Sequence, residues 1–210
     1  MNNVTLTRFM DFVNANGLYR RRVVNDFINS DDYSPCKDYY KEMRDAIILM
    51  YKNGESLDSL DDKFALIDEK KQTNYPALLS GYKKWAKRKK IVFLETNSYV
   101  YDLNGLKLSI NPELVLKIDG KPTVVKLYFK KDKLKKDAAD IVSVLIAMAF
   151  CSFDNKYSDY DFGVMDLRNS KFLRITQTTQ VDEIKNTLEV DAMTWLHYQE
   201  QIQRASGLPL

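Results

Sequence analysis

PELVLKIDGKPTVVKLYFK, residues 112–130, is the segment most informative about the fold of this protein. It consists of two alternating apolar and polar runs separated by Asp119-Gly120, a dipeptide typical of a tight two-residue turn. The pattern predicts a β-hairpin with strands over 113–118 and 123–130. Because successive side chains of a strand point to opposite faces, Glu113 and Lys126 each fall on the face that the large apolar residues of their strand do not occupy.

Outward from this hairpin, the sequence predicts further strands on both sides and one strongly apolar helix. Earlier strands are expected over 91–95, 99–103 and 106–110, with Asn104-Gly105 as a second tight turn. A buried helix is expected over 133–150, because its second half is apolar on nearly all sides. Strands over 161–167 and 171–176 and a last helix over 181–205, ended by Gly207-Leu208-Pro209, complete the prediction.

The first ninety residues have the spacing of helices throughout. Helical segments are expected up to Gly17, over 19–28, from Ser34-Pro35 to Tyr51, over 57–71, and over 75–88 after Asn74. The spacing of apolar residues changes from that of helices to that of strands near Lys90. We therefore expect a helical subdomain over 1–90 and an α/β core over 91–210, which together form one compact domain.

Composition indicates an ordinary globular protein, with 210 residues, 45% hydrophobic and 29% charged. The two cysteines, Cys36 and Cys151, form no CxxC pair, so we expect free thiols and neither a zinc site nor a redox site. The longest apolar run, 141–151, falls well short of the roughly 20 residues that span a bilayer. With no recognisable signal peptide, the expectation is a cytoplasmic protein with no membrane partner. No glycine-rich phosphate loop is present in the sequence, and no cofactor is expected.

The order of strands, hairpin, buried helix and strands resembles the αβββαβ core of the PD-(D/E)XK nucleases, which have the restriction-endonuclease-like fold. The helical first part is similar to that of the RecB-type and CRISPR-associated exonuclease branch, and the segments Thr5–Phe9 and Tyr19–Arg22 have the look of its N-terminal motif. The resemblance implies a central mixed sheet. In that family two carboxylates hold Mg²⁺ and a lysine helps to position the attacking water.

The residues that carry this chemistry in the family are altered here. Pro112-Glu113 occupies the Pro-Asp position, Lys126 stands where the second carboxylate belongs, and Tyr128 stands where the lysine belongs. An ammonium group repels a divalent cation, so we expect a Glu113–Lys126 ion pair, no bound metal and no intact catalytic site.

Basic residues suggest a partner, although the net charge of +3 is too small to imply a polyanion by itself. If the protein binds DNA or RNA, the candidate phosphate contacts are Lys83, Lys84, Lys87, Arg88, Lys117, Lys126, Lys130 and Lys131. The simpler interpretation of these clusters is a solvated surface. A protein partner is an equally open possibility.

Several alternatives remain open at this stage. An unrelated α+β domain can have the same hairpin pattern, and a structural or accessory interaction protein needs no nucleic-acid role. A nuclease with a migrated site would use Glu113, Asp119 and Lys130. His197 is interpreted as a packed or surface residue. Asp154, Asp159 and Asp161 are interpreted as solvated residues of a loop and not as ligands of a metal ion.

Overall fold

The protein is a mixed α/β structure with a helical N-terminal region, seen in a computed structural model that describes residues 3–29, 38–65, 73–176 and 178–206. The strands are β1 Val4–Thr5, β2 Ile91–Leu94, β3 Tyr99–Leu103, β4 Leu106–Ile110, β5 Leu114–Ile118, β6 Lys121–Tyr128, β7 Asp161–Asp166 and β8 Lys171–Arg174. The α-helices are α1 Leu6–Asn14, α2 Leu18–Ile28, α3 Lys41–Lys52, α4 Ser59–Ala65, α5 Tyr75–Ala86, α6 Lys136–Phe153 and α7 Val181–Ser206. A short 3₁₀ helix covers Asn155–Asp159.

The central sheet has five strands in the order β2-β5-β6-β7-β8. Its first three strands are antiparallel neighbours, whereas β6 and β7 are parallel and are joined by the crossover helix α6. The predicted hairpin is confirmed as β5–β6. Asp119 and Gly120 have φ values of 50° and 93°, as a turn with two left-handed residues requires.

The β3–β4 hairpin does not join the central sheet. It forms a separate three-stranded sheet in which β1 pairs in parallel with β4. The prediction that the first ninety residues are entirely helical is therefore wrong at Val4–Thr5. Two residues are too few to show alternation, and their pairing partner lies about a hundred residues away at Leu108 and Ser109.

Two hydrophobic cores lie on the two faces of the central sheet. The first contains Val115, Val124 and Tyr128, together with side chains of α1, α6 and α7. The second contains Val125 and Leu127, together with side chains of α3, α4 and α5. The predicted alternation along both strands is confirmed, and the helices of the first ninety residues are divided between the two faces.

Helix α5 packs unusually close to the turn after β7. A Cβ atom added at Gly81 would lie 1.8 Å from the carbonyl oxygen of Leu167, so only glycine permits this contact. The helix thereby fixes the position of Leu167 and Arg168 at the end of β7.

Helix boundaries agree with the prediction to within a few residues, apart from α3 and α4. Helix α3 begins at Lys41. Four features named in the sequence analysis lie outside the described residues: the proposed helix start at Ser34-Pro35, Cys36, the predicted end of the fourth helix near residue 71, and Gly207-Leu208-Pro209. Cys151 is a half-buried free thiol. Within the described ranges, no helix combines the length and the apolar character that a membrane crossing requires.

Candidate functional site

Charged residues gather at the two opposite ends of the central sheet. The end where β6 and β7 finish and β5 begins is called the paired end here, and its charged or polar side chains are Glu113, Lys126, Tyr128, Lys130, Asp166 and Arg168. The end where β2 begins and the β5–β6 turn lies is called the basic end, and its cations are Lys84, Lys87, Arg88, Lys90, Lys117 and Lys121.

At the paired end, Glu113 and Lys126 form the predicted ion pair. The hairpin register pairs Leu114 with Val125, and its continuation by one residue places Glu113 opposite Lys126. The two side chains are 7% and 2% exposed, and the Lys126 ammonium donates a hydrogen bond to Oε1 of Glu113. The other carboxylate oxygen, Oε2, accepts a hydrogen bond of 2.7 Å from the backbone N–H of Leu127.

The carboxylate of Glu113 thus extends the hairpin ladder beyond its last backbone pair. Pro112 has no N–H to donate, and β5 is paired only from Leu114 onward. With both oxygens of Glu113 engaged and a fixed positive charge beside them, this position has neither the free oxygen ligands nor the negative charge that Mg²⁺ needs. Within the described part of the chain, no three His, Cys, Asp or Glu side chains are grouped so that they could hold a metal ion.

Tyr128 is buried on the same face as Lys126 and has a structural contact. Its hydroxyl donates a hydrogen bond of 2.7 Å to the carbonyl oxygen of Asp132, which closes the connection between β6 and α6. Burial, followed by the charges of Asp11, Asp132 and Asp166, raises the pKa of Tyr128 well above its usual value. The phenol therefore stays protonated at neutral pH and does not replace the cationic lysine of a nuclease site.

Helix α1 anchors the rest of the paired end. Lys130 forms an ion pair of 2.7 Å with Asp11 of α1. Asn14, the last residue of that helix, accepts a hydrogen bond of 3.1 Å from the backbone N–H of Lys135 and so helps to cap α6. These contacts tie the charges beyond β6 to the N-terminal helix.

Arg168 is the exception at the paired end. Its Nε and Nη2 atoms are buried and have no hydrogen-bond partner among the described residues. Burial raises the pKa of Tyr40, and the nearby positive charge of Arg168 partly opposes this shift. No sequence pattern pointed to Arg168, since it lies in a turn and its surroundings include Tyr40 and α5, which are distant in the sequence.

The cations of the basic end differ from Lys126 and Lys130 in exposure and in pairing. Those named above are exposed, and none of them forms an ion pair with another described residue. Lys90 is held close to the β5–β6 turn because Ile91 of β2 pairs with Ile118 of β5, next to that turn. The carboxylate of Asp119 accepts a hydrogen bond of 2.9 Å from the backbone N–H of Lys90, which fixes the turn against the start of β2.

The structure separates the predicted phosphate contacts into three groups. The predicted phosphate contact of Lys126 is wrong, because this side chain is buried and paired with Glu113 and therefore cannot reach a phosphate. Lys130 and Lys131 lie at the paired end, and Lys83 forms ion pairs with Asp58 and Asp61 at 3.0 and 2.6 Å. The exposed residues at the basic end are Lys84, Lys87, Arg88 and Lys117.

Lys121 was missed as a member of the basic end, where it lies with Lys90 of the predicted Lys83 to Lys90 cluster. Both flank strand ends, and their proximity depends on the antiparallel pairing of β2 with β5 and of β5 with β6. The Asp119-Gly120 turn is the signal that could have placed Lys121 close to Lys117.

The residues of the alternative migrated site are not brought together. Glu113 and Asp119 lie at opposite ends of β5, whose five residues span about 17 Å at a rise of about 3.4 Å per residue. Lys130 is engaged with Asp11.

Three other polar residues considered at the outset, His197, Asp154 and Asp161, have local structural contacts, and Asp159 is exposed. The ring of exposed His197 lies 2.9 Å from the amide of Gln201, one helical turn away. Asp154 accepts a hydrogen bond from the backbone N–H of Lys156, and Asp161 pairs with Arg174 at 2.8 Å.

Comparison with known proteins adds no relative. No protein-family model matches this chain, and neither does any curated protein sequence.

Proposed function

We propose that this protein is a non-catalytic, nuclease-derived module whose basic end binds the phosphate backbone of nucleic acid. The observation that carries the proposal is the set of six exposed cations at the basic end, none paired with a described residue. Some lysines elsewhere in the fold are neutralised by a carboxylate, as with Lys126, Lys130 and Lys83. These six cations outnumber the exposed carboxylate of Asp119 beside them, and such an excess of positive charge attracts a polyanion and releases its counterions.

The nuclease descent is supported by element order and by the altered site together. A helix, three antiparallel strands, a crossover helix and a parallel strand follow one another as α5, β2-β5-β6, α6 and β7, with the β3–β4 hairpin inserted between β2 and β5. Glu113 at the start of β5 and Lys126 on β6 then occupy facing positions. We propose that Lys126 supplies permanently the positive charge that a metal ion would supply in an active relative, and that the module acts in the cytoplasm.

Binding is tested with fluorescently labelled 20-nucleotide DNA and RNA, by anisotropy between 50 and 200 mM salt. We expect the affinity to fall steeply with salt, because each neutralised phosphate contributes about 0.7–0.9 to the slope of log K against log salt. The triple variant Lys90→Glu, Lys117→Glu, Lys121→Glu should lose at least about 30-fold in affinity at 50 mM salt, because three phosphate attractions become repulsions.

A matched control separates the basic end from net charge. The triple variant Lys131→Glu, Lys133→Glu, Lys171→Glu reverses three exposed lysines away from the basic end. Either triple substitution takes the formal net charge from +3 to −3. The control should bind within about threefold of the wild type. Equal losses in the two variants, or no wild-type binding at 50 mM salt, would refute the proposal.

The lack of catalysis is tested separately with Mg²⁺ and Mn²⁺ on single- and double-stranded DNA. We expect no cleavage by the purified protein. Cleavage that disappears in a Glu113→Gln variant would show that Glu113 still serves a metal-dependent reaction, and the non-catalytic part of the proposal would fall.

One observation favours a second candidate, an accessory protein that binds another protein. Four large apolar side chains are exposed on α2 and α7, which contact each other through the Arg20–Asp191 ion pair of 2.6 Å. They are Leu18, Tyr19, Val190 and Met193. If the wild type binds no nucleic acid but forms a salt-resistant dimer that Met193→Glu dissociates, this second function replaces the first.

A further inference from the structure

A group of aromatic residues lies at the same end of the central sheet as the cations of the basic end. Because β6 and β7 are parallel, the crossover helix α6 must return to the end of the sheet where β6 begins. Thr123 of β6 pairs with Asp161 of β7, so the start of β7 lies one strand spacing, about 4.8 Å, from β6 at the basic end. Phe153 at the end of α6 and the 3₁₀ helix that follows it therefore lie on this side of the molecule.

Phe153 stacks on Tyr99, and the two rings are called the aromatic platform here. Their centroids are 4.4 Å apart and their planes differ by 12°. Phe153 is 54% exposed, although one of its faces is covered by Tyr99. The exposed part must therefore be its other face and edge.

The platform is rigidly supported from below. The ring of Tyr99 meets Phe150 edge-on at 4.9 Å, and Phe150 in turn meets Tyr157 at 4.9 Å. The hydroxyl of Tyr157 accepts a hydrogen bond of 2.8 Å from the side-chain amide of Asn97. An exposed ring held in this way loses little conformational freedom when a ligand stacks on it.

Two of the three carboxylates considered near the platform are neutralised locally. Asp154 pairs with Lys156 at 2.9 Å, and Asp161 pairs with Arg174 at 2.8 Å. Asp159 is exposed, and its carboxylate means that the surroundings of the platform carry no excess of positive charge. The attraction for a polyanion comes from the neighbouring basic end, and the platform offers a flat apolar face beside it.

We propose that the ligand of the basic end is single-stranded nucleic acid, with one unpaired base stacked on Phe153. This inference rests on the proposed function. Flat aromatic rings beside a basic groove are how single strands are bound without sequence preference, because every base has a π-face. In a duplex both faces of an internal base are covered by its neighbours, so a duplex has no such face to offer.

The test compares Phe153→Leu with the wild type on a 20-nucleotide single strand and on a duplex of the same length. Leucine keeps an apolar side chain but removes the ring. We expect affinity for the single strand to fall about 5- to 100-fold, as for the loss of one base–aromatic stack. Affinity for the duplex and the salt slope for the single strand should not change, because no phosphate contact is lost.

Two control variants define the result. Phe153→Tyr retains the ring and should bind the single strand as the wild type does, while Leu49→Ala removes an exposed apolar side chain elsewhere and should have no effect. If Phe153→Leu binds the single strand within twofold of the wild type, the stacking inference is wrong and phosphate binding by the basic end still stands. If the wild type binds neither ligand, or if the triple lysine variant binds both normally, the proposed function itself fails.

Discussion

Charged side chains at the two ends of the central sheet differ in how deeply they are buried and in whether they form ion pairs. At the paired end, Glu113, Lys126 and Lys130 are joined to partners from β5, β6 and α1. At the basic end, cations such as Lys117 and Lys121, some of them on the same two strands, stand in solvent without a described ion-pair partner. The difference follows from burial, because a charge removed from water must be paired, whereas an exposed charge need not be. The cations of the basic end are therefore free to meet an external anion, and the buried Lys126 is not.

The buried pair also bears on the register of the hairpin. A slip by one residue would turn every side chain of β6 to the other face of the sheet and separate Lys126 from Glu113. The apolar residues alone constrain the register less at this point, since both faces of β6 are buried. We infer that the ion pair contributes specificity of strand pairing in addition to any net stability.

The largest expected effect comes from breaking the pair at the paired end. Lys126→Met should lower the free energy of unfolding by about 3–5 kcal/mol, because it leaves the Glu113 carboxylate buried without its cation. Glu113→Gln should have a loss of similar size, since an ammonium is then left buried. The double variant should lose less than the sum of the two single losses, which a urea-denaturation cycle measures directly.

Lys117→Met provides the control for this cycle, because Lys117 lies on the same strand face as Glu113 but is exposed at the basic end. Its effect should stay within about 0.5 kcal/mol. Strictly additive losses for Lys126→Met and Glu113→Gln would mean that the two groups do not interact in solution, and the contrast between the ends would lose its main support.

A smaller effect of opposite sign is expected at Arg168, the exception at the paired end. Arg168→Met removes two buried nitrogens that lack a described partner, and should raise the free energy of unfolding by about 1–2 kcal/mol. Arg174→Met, which breaks an exposed pair with Asp161, should instead cost at most about 1 kcal/mol. Chemical denaturation measures both. A loss of stability in Arg168→Met would show that Arg168 has a partner in solution.

The sequence predicted what depends on local pattern. The hairpin followed from alternation around Asp119-Gly120, and a two-residue turn sets the register, so the facing of Glu113 and Lys126 followed too. It failed where pairing is distant in the chain, as for Val4–Thr5, whose partners lie on β4. The predicted phosphate contact of Lys126 was wrong for the same reason. A sequence shows that a residue is charged, but the burial of a central strand depends on layers that come from both halves of the chain.

The smallest effect concerns the acidic neighbours of the basic end. Glu55 lines one surface groove together with Lys89 and Ile91. Hydrogen bonds from Lys63 at 2.5 Å and from Asn53 at 2.9 Å lower the pKa of Glu55 to about 2. A carboxyl group whose folded pKa lies below its unfolded value stabilises the fold above about pH 4.5, and that contribution disappears as the pH falls towards 2.

Glu55→Gln should therefore be slightly less stable than the wild type at pH 6, and the difference in urea midpoint should shrink between pH 4.5 and pH 2.5. Glu189→Gln, on the exposed surface of α7, should match the wild type at each pH. A difference for Glu55→Gln that does not change with pH would mean that Lys63 and Asn53 do not hold this carboxylate in solution. Glu55 would then be free to turn towards Lys89 and its neighbours and to neutralise part of the basic end, which would weaken the case that this surface awaits an external anion.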